Sequence, residues 1–242
     1  MKTFRLLLLL LPVLAFAQNT VSNYKTFFGN AIYKGKTVLV TRSFTYNNTP
    51  SYLYTDPQTL NTGIISPKDA KVIPTPLAEL KAQFTNTPYI KALATAESQS
   101  FSLQDAGLIH GYPKEHGITL TIDLCPSHKK LDRVIFTSLI QEFGKTLQPV
   151  PVALSITGRF MLTHSDDILW LKDLQNQNKI KITWINHTYN HHYDPKAPLT
   201  ENFILKPGTD ISFEILGTEI ALLQHGLLPS AFFLSLIHIS EP

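Results

Sequence analysis

From Gly117 onward the apolar positions change period several times, and each change marks an element. Ile118 to Leu124 (I-T-L-T-I-D-L) is a short β-rich run that reads as a buried strand. Between Ser127 and Phe143, Leu131, Val134, Ile135, Leu139 and Phe143 recur at helical spacing, and Gly144 is placed to end that helix. Val150 to Ile156 reads as a second strand, followed by Thr157-Gly158. A helix capped by Thr163 or Ser165 then runs through Ile168, Leu169, Leu171 and Leu174 to Asn178. Its first turn carries Asp166 and Asp167, which the helix dipole favours there, so the pair reads as capping. Ile180 to Ile185 is a third strand. A further helix starts at Asp210 or Ser212 and passes Ile215, Ile220 and Leu223 to end near Gly226, and Pro229 to Phe233 enters another strand. Such β/α alternation predicts a parallel sheet or a (β/α) barrel. The segment has about half of the roughly 200 residues a barrel needs, so an incomplete, distorted barrel is expected.

The preceding region has a different texture, rich in Thr, Asn, Tyr and Phe. Thr37 to Thr45 reads as a strand, Asn47-Asn48-Thr49-Pro50 as a turn, and Ser51 to Thr55 as a second strand closed by Asp56-Pro57. Pro76 to Glu97 has helical spacing broken at Thr87-Pro88. Thr20 to Phe28 has the look of a polar, aromatic surface segment. The expected organisation is a leader over 1–17, a small α+β accessory region over 18–112, the α/β domain over 113–233, and a foreign tail over 234–242.

Both ends carry their own signals. Lys2 and Arg5 precede an apolar run, Leu6 to Leu14, and Ala15-Phe16-Ala17 is a small-x-small cleavage site, so a secretory signal ending before Gln18 is expected. That run is short for a bilayer span, which leaves no stable membrane span after cleavage and a secreted or periplasmic protein. Leu234 to Pro242 reads L-S-L-I-H-I-S-E-P, the translation of CTGTCTCTTATACACATCTCCGAGCC, which resembles a transposase-based sequencing adapter. The natural sequence is therefore expected to depart from this one after Phe233.

Composition narrows the classes. The 242 residues are 43% hydrophobic and 16% charged with a formal net charge of +3, which argues against a disordered chain. Removal of Lys2 and Arg5 brings the mature charge nearer neutral, and no Lys/Arg cluster forms a nucleic-acid groove. Cys125 is the one cysteine, so no internal disulfide can form.

The candidate chemistry lies at strand ends. Trp184 to Pro195 reads W-I-N-H-T-Y-N-H-H-Y-D-P, with His187 and His191 four residues apart. On a helical turn that spacing places two imidazoles on one face, within reach of one metal ion. Asp123 ends the Ile118 strand, and a carboxylate at the tip of a buried strand requires a partner. The alternative is a cap for the next helix. Cys125 follows, as a structural thiol or a ligand.

Leu120-Thr121-Ile122-Asp123 at one strand end and His187-Thr188-x-x-His191 at another, two βα units later, resemble the polysaccharide deacetylase family, metal-dependent carbohydrate esterases on a distorted (β/α) barrel. The family's motifs are T-F-D-D and H-[S/T]-x-x-H; the first is matched in part and the second in full. The resemblance covers Gly117 to Phe233. It implies that Asp123 is the general base, that His187 and His191 ligate a divalent metal, and that Thr188 steadies the loop. Zinc is the implied metal, with Co, Ni or Mn alternatives for such ligands. The implied substrate is an acetylated polysaccharide losing N- or O-acetyl groups by metal-assisted attack of water. Leu124 stands where the family has a metal-ligating Asp. Cys125 is near enough to substitute, His128 is more remote, and the His192 side chain is expected to point away from His191. The family's later Arg, Asp/Trp and general-acid His motifs are expected beyond Phe233, so the chain as written is expected to be inactive and poorly folded.

Two other functions share these residues. A non-catalytic carbohydrate-binding relative would keep the barrel and lack the metal, as Leu124 suggests. A hydrolase acting on a non-sugar amide would use the same metal chemistry. The glycan and the oligomeric state are left open.

Overall fold

A computed structural model describes residues 18–99, 117, 119–198 and 201–234. The leader, residues 100–116 and 235–242, and the expectations attached to them, lie outside the described residues. Within those described, the protein is mixed α/β, with one antiparallel and one parallel sheet.

The antiparallel sheet comprises β1 (Val21–Tyr33), β2 (Lys36–Tyr46), β3 (Thr49–Thr55), β4 (Thr62–Ile65) and β5 (Val72–Pro74), ordered β4-β3-β2-β1-β5. Two tight hairpins make it. Lys34-Gly35 and Asn47-Asn48 all have positive φ, the twist that two-residue hairpin loops need. The second turn is thus shorter than the sequence suggests, and Thr49 and Pro50 already pair with β2. The segment expected as surface, Thr20 to Phe28, does lie at the surface, and it is largely strand β1, with no buried residue before Gly29. Register shifts between Ser22 and Lys25 and between Thr26 and Gly29 interrupt its alternation, which hides the strand's period of two. Helices α1 (Leu77–Gln83) and α2 (Pro88–Gln99) flank the break at Thr87-Pro88, and Leu80, Phe84 and Ile90 pack with Leu39.

The second sheet is β6 (Thr121–Leu124), β7 (Val150–Ile156), β8 (Ile180–Asn186) and β9 (Pro229–Phe233), parallel and in chain order. Helix α3 (Arg133–Phe143) crosses from β6 to β7. Helices α4 (Gly158–Thr163) and α5 (Ser165–Asn176) lead to β8, and α6 (Ile211–Gln224) leads to β9. One sheet face is apolar: Leu124, Val152, Leu154, Ile156, Ile180, Ile182 and Trp184 are buried in a single cluster with Phe136 of α3 and Ile168 and Leu171 of α5. Trp184 is in that core, as a strand tryptophan should be, and its Nε1 donates to Gln175 Oε1 at 3.1 Å.

The opposite face is open along β6. Thr121 and Asp123 are exposed, so β6 is not the fully buried strand its composition predicts. Helix α3 starts later than its apolar spacing suggests, at Arg133, because the Asp132 side chain caps it by accepting from Val134 N. Thr157 caps the additional helix α4 in the same way, accepting from Phe160 N. Asp166 and Asp167 lie in the first turn of α5 as expected, but His164 stands at its N-cap and no side chain caps the helix. Asp167 does not cap that helix; its Oδ1 accepts from Arg133 Nε and Nη2 at 3.0 and 2.8 Å, and its Oδ2 accepts from Leu131 N. This buried carboxylate thereby ties the segment after β6 to α5.

The two sheets are joined through α6. Glu219 accepts a bidentate pair from Arg42 of β2, Nε at 2.7 Å and Nη2 at 2.8 Å, and a third bond from Tyr24 Oη at 2.7 Å. Burial, and then Glu219, push the Tyr24 hydroxyl's pKa far above its ordinary value, so it remains a donor. Around this pair Phe44 and Leu53 pack on Leu223. Removing one partner of such a pair strands the other charge, so Glu219→Ala is expected to cost about 3–5 kcal/mol of unfolding free energy. Urea denaturation of the variant measures this; a loss within about 0.5 kcal/mol, as for an ordinary surface change, would contradict the joining role.

Candidate metal centre

The site forms where the parallel ladder ends. Its register aligns Asp123 with Ser155 and Ile185, and Leu124 with Ile156 and Asn186. Backbone pairing continues one step further, with Thr157 N donating to Leu124 O and His187 N to Ile156 O. Cys125 and His187, 62 residues apart in sequence, therefore leave their strands at the same height. Side chains alternate across a strand, so Cys125 shares the open face with Asp123 while Leu124 turns into the core. The Cys125 Sγ lies 3.9 Å from His187 Nε2.

The chain then doubles back to bring in His191. No helical turn does this; residues 187–191 form a loop in which Thr188 and His191 have φ of 68° and 49°. A left-handed residue reverses the chain locally, which an i to i+4 helical relation would not do here. The His187 and His191 rings meet edge to face at 5.3 Å between centroids. One ligand atom from each of Cys125, His187 and His191 lies within 4.8 Å of the others, and the three form a cluster able to hold a metal ion.

Protonation favours ligation by the histidines. His187 Nδ1 faces the Leu234 carbonyl at 3.0 Å. A carbonyl only accepts, so Nδ1 carries the hydrogen and Nε2 presents its lone pair on the Cys125 side. Burial lowers the pKa of His191, and His187 lowers it further, which keeps that imidazole neutral. Its Nε2 is buried with no hydrogen-bond partner among the described residues. A buried ring nitrogen without a partner is costly, and a cation is the partner its lone pair fits. The Cys125 thiol is shifted the other way. Burial raises its pKa and the Asp123 charge adds to this, so the thiol proton must leave before the sulfur ligates.

The remaining candidates fall in distinct places. Asp123 is exposed rather than buried, so the burial argument for its chemistry does not hold; its Oδ1 accepts a short hydrogen bond from Ser155 Oγ. It borders the cluster without belonging to it. Thr188 is fully buried, but its hydroxyl has no partner among the described residues. Its backbone steadies the loop instead: N donates to Asn186 Oδ1, and O accepts from Gly158 N. His128 lies in a separate cleft with Arg133 and Asp167, and His192 in another with Arg159 and Lys206.

Sequence reasoning overlooks what anchors the loop. The Tyr189 ring lies against Gly158 and near Gly217, and meets Phe213 at 4.7 Å between centroids. Phe203 closes the other end, edge-on to His191 at 5.4 Å and stacked on Tyr193. The glycines of Thr157-Gly158 and Leu216-Gly217 were the available signal, since a glycine inside an apolar helix often marks close packing. No protein-family model matches this chain, and no solved structure matches it significantly. No helix among the described residues is long and apolar enough to cross a membrane.

A Cβ at position 158 would overlap the Tyr189 ring. Gly158→Ala is therefore expected to destabilise the fold by about 1–3 kcal/mol, the usual cost of overpacking. A denaturant midpoint equal to that of the parent would show that the ring does not need this notch.

Proposed function

We propose that Cys125, His187 and His191 hold a divalent ion, zinc foremost, in a hydrolytic centre of the polysaccharide deacetylase kind, at the mouth of a (β/α) barrel to which the four parallel strands contribute. The observation that carries this reading is the convergence of one thiol and two imidazoles within 4.8 Å, one imidazole nitrogen being buried without a partner. A mixed sulfur and nitrogen set suits zinc better than the hard cations. Cys125 answers the difficulty posed by Leu124. The leucine faces the core and cannot ligate, and the next residue restores a third ligand from the open face.

The ion would supply Lewis acidity toward an acetyl carbonyl. The chain's own residues do the rest. Asp123 stands on the same open face, one strand position pair from Cys125, with its Oδ1 held by Ser155. From there its carboxylate takes the proton of the attacking water, the role the motif resemblance gives it. Tyr193, exposed and stacked on Phe203 beside His191, offers an aromatic face to a sugar ring. The leader pattern supports an extracytoplasmic setting for acetylated polysaccharide.

Zinc content of the purified chain tests the reading. About one equivalent is expected after dialysis, lost in the His187→Ala/His191→Ala double variant. Cys125→Ala is expected to weaken zinc binding at least ~10-fold, since a ligand matters no less than the groups that orient one. A metal-free protein that still binds glycan would favour the carbohydrate-binding alternative, and unchanged affinity in Cys125→Ala would remove the thiol from the site.

A further inference from the structure

The loop between the two histidines is held by a side chain outside the donor set. Glu214 lies in the first turn of α6 and is 6% exposed. Its carboxylate makes no ion pair among the described residues. Instead, Oε2 accepts from Tyr189 N at 2.9 Å and from Asn190 N at 2.8 Å, and Oε1 accepts from Asn190 Nδ2 at 2.7 Å. All three donors come from the two residues midway between His187 and His191. The same stretch is gripped from the other side, where Gly158 N and Arg159 N, at the start of α4, donate to Thr188 O and Tyr189 O.

Glu214 is itself fixed. Asp210 caps α6 by accepting from Phe213 N, and Asn186, the last residue of β8, donates through Nδ2 to Ile215 O at 2.9 Å. The carboxylate thus refers the loop's position to both α6 and the end of the strand that bears His187. An isolated left-handed excursion at Thr188 and His191 is unfavourable for residues with a Cβ, and more so for a β-branched threonine. Charge-assisted bonds to a buried carboxylate are the strongest available means of holding it.

We propose that Glu214 is a positioning residue of the metal centre: it fixes the reversal that returns His191 to His187 and Cys125, and so sets the affinity of the site for its ion. This rests on the metal reading above. It places a determinant of metal affinity on α6, which contributes no donor atom.

Cobalt(II) titration of the full chain, followed by visible absorption, tests it alongside thermal denaturation. Glu214→Ala is expected to lower cobalt affinity ~10- to 100-fold, the usual effect of losing a group that orients metal ligands. Glu214→Gln keeps shape and burial and is read in the same way if the alanine variant does not fold. Its uncharged amide can still pair with the Asn190 amide but loses the charge-assisted character of the bonds from Tyr189 N and Asn190 N, so it too should bind at least ~10-fold more weakly. A purely structural role would lower the melting temperature in these variants and leave cobalt affinity alike. Affinity within about twofold of the parent in a folded Glu214 variant would overturn the proposal. A parent chain that binds no cobalt would overturn the metal reading itself and the positioning role with it.

Discussion

The parallel register of β6, β7 and β8 is the constraint on which the site depends. With Leu124, Ile156 and Asn186 aligned, the next residue of each outer strand leaves the sheet at a common height. Side-chain alternation then decides what faces what. Leu124 and Trp184 go to the helices, while Asp123, Cys125 and His187 go to the other side, where Asp123 is exposed and His187 is buried. A slip of one residue in β6 would exchange Cys125 with its neighbours and bury Asp123 in the apolar cluster. The burial of Leu124, Leu154, Ile156 and Trp184 therefore does more than stabilise the layer, because it fixes the register that brings a thiol to an imidazole.

The loop after β8 faces the opposite problem. No ladder extends along it, and two of its residues hold left-handed backbone at a cost on the order of 1–2 kcal/mol each. Three charge-assisted hydrogen bonds to Glu214 and two backbone bonds from the start of α4 oppose that cost. At roughly 1.5–3 kcal/mol for each bond to a charged group, the anchorage outweighs the strain. The Tyr189 ring between Gly158, Gly217 and Phe213 adds packing that a flexible loop would lack. Farther out, the Arg42–Glu219 pair steadies α6 against the antiparallel sheet, so the helix that carries Glu214 has its own fixed reference.

Much of this was legible in the chain because the parallel strands are written in β-branched and apolar runs. The run Val150–Ile156 and the run Pro229–Phe233 are strands with the bounds their residues suggest. The histidine pair was legible as a spacing, although its geometry was not: i and i+4 suggest a helical turn, and the chain uses left-handed residues instead. Strand β1 was hidden because bulges break its alternation and its Thr, Asn and Tyr residues resemble a surface segment. The place of Cys125 beside His187 depends on pairing between strands 62 residues apart, which no local pattern encodes. Glu214 was invisible for a similar reason: in sequence it is an ordinary acid in a first helical turn, and only the loop's amides give it a second role.

X-ray absorption at the zinc edge of the zinc-loaded chain reports directly on whether Cys125, His187 and His191 share one ion. One sulfur near ~2.3 Å and two imidazole nitrogens near ~2.0–2.1 Å are expected, the distances zinc takes to thiolate and histidine. A shell of nitrogen and oxygen without sulfur would exclude Cys125 and leave the third ligand to another residue. An absorption spectrum matching that of hydrated zinc would show that the cluster does not bind the ion at all.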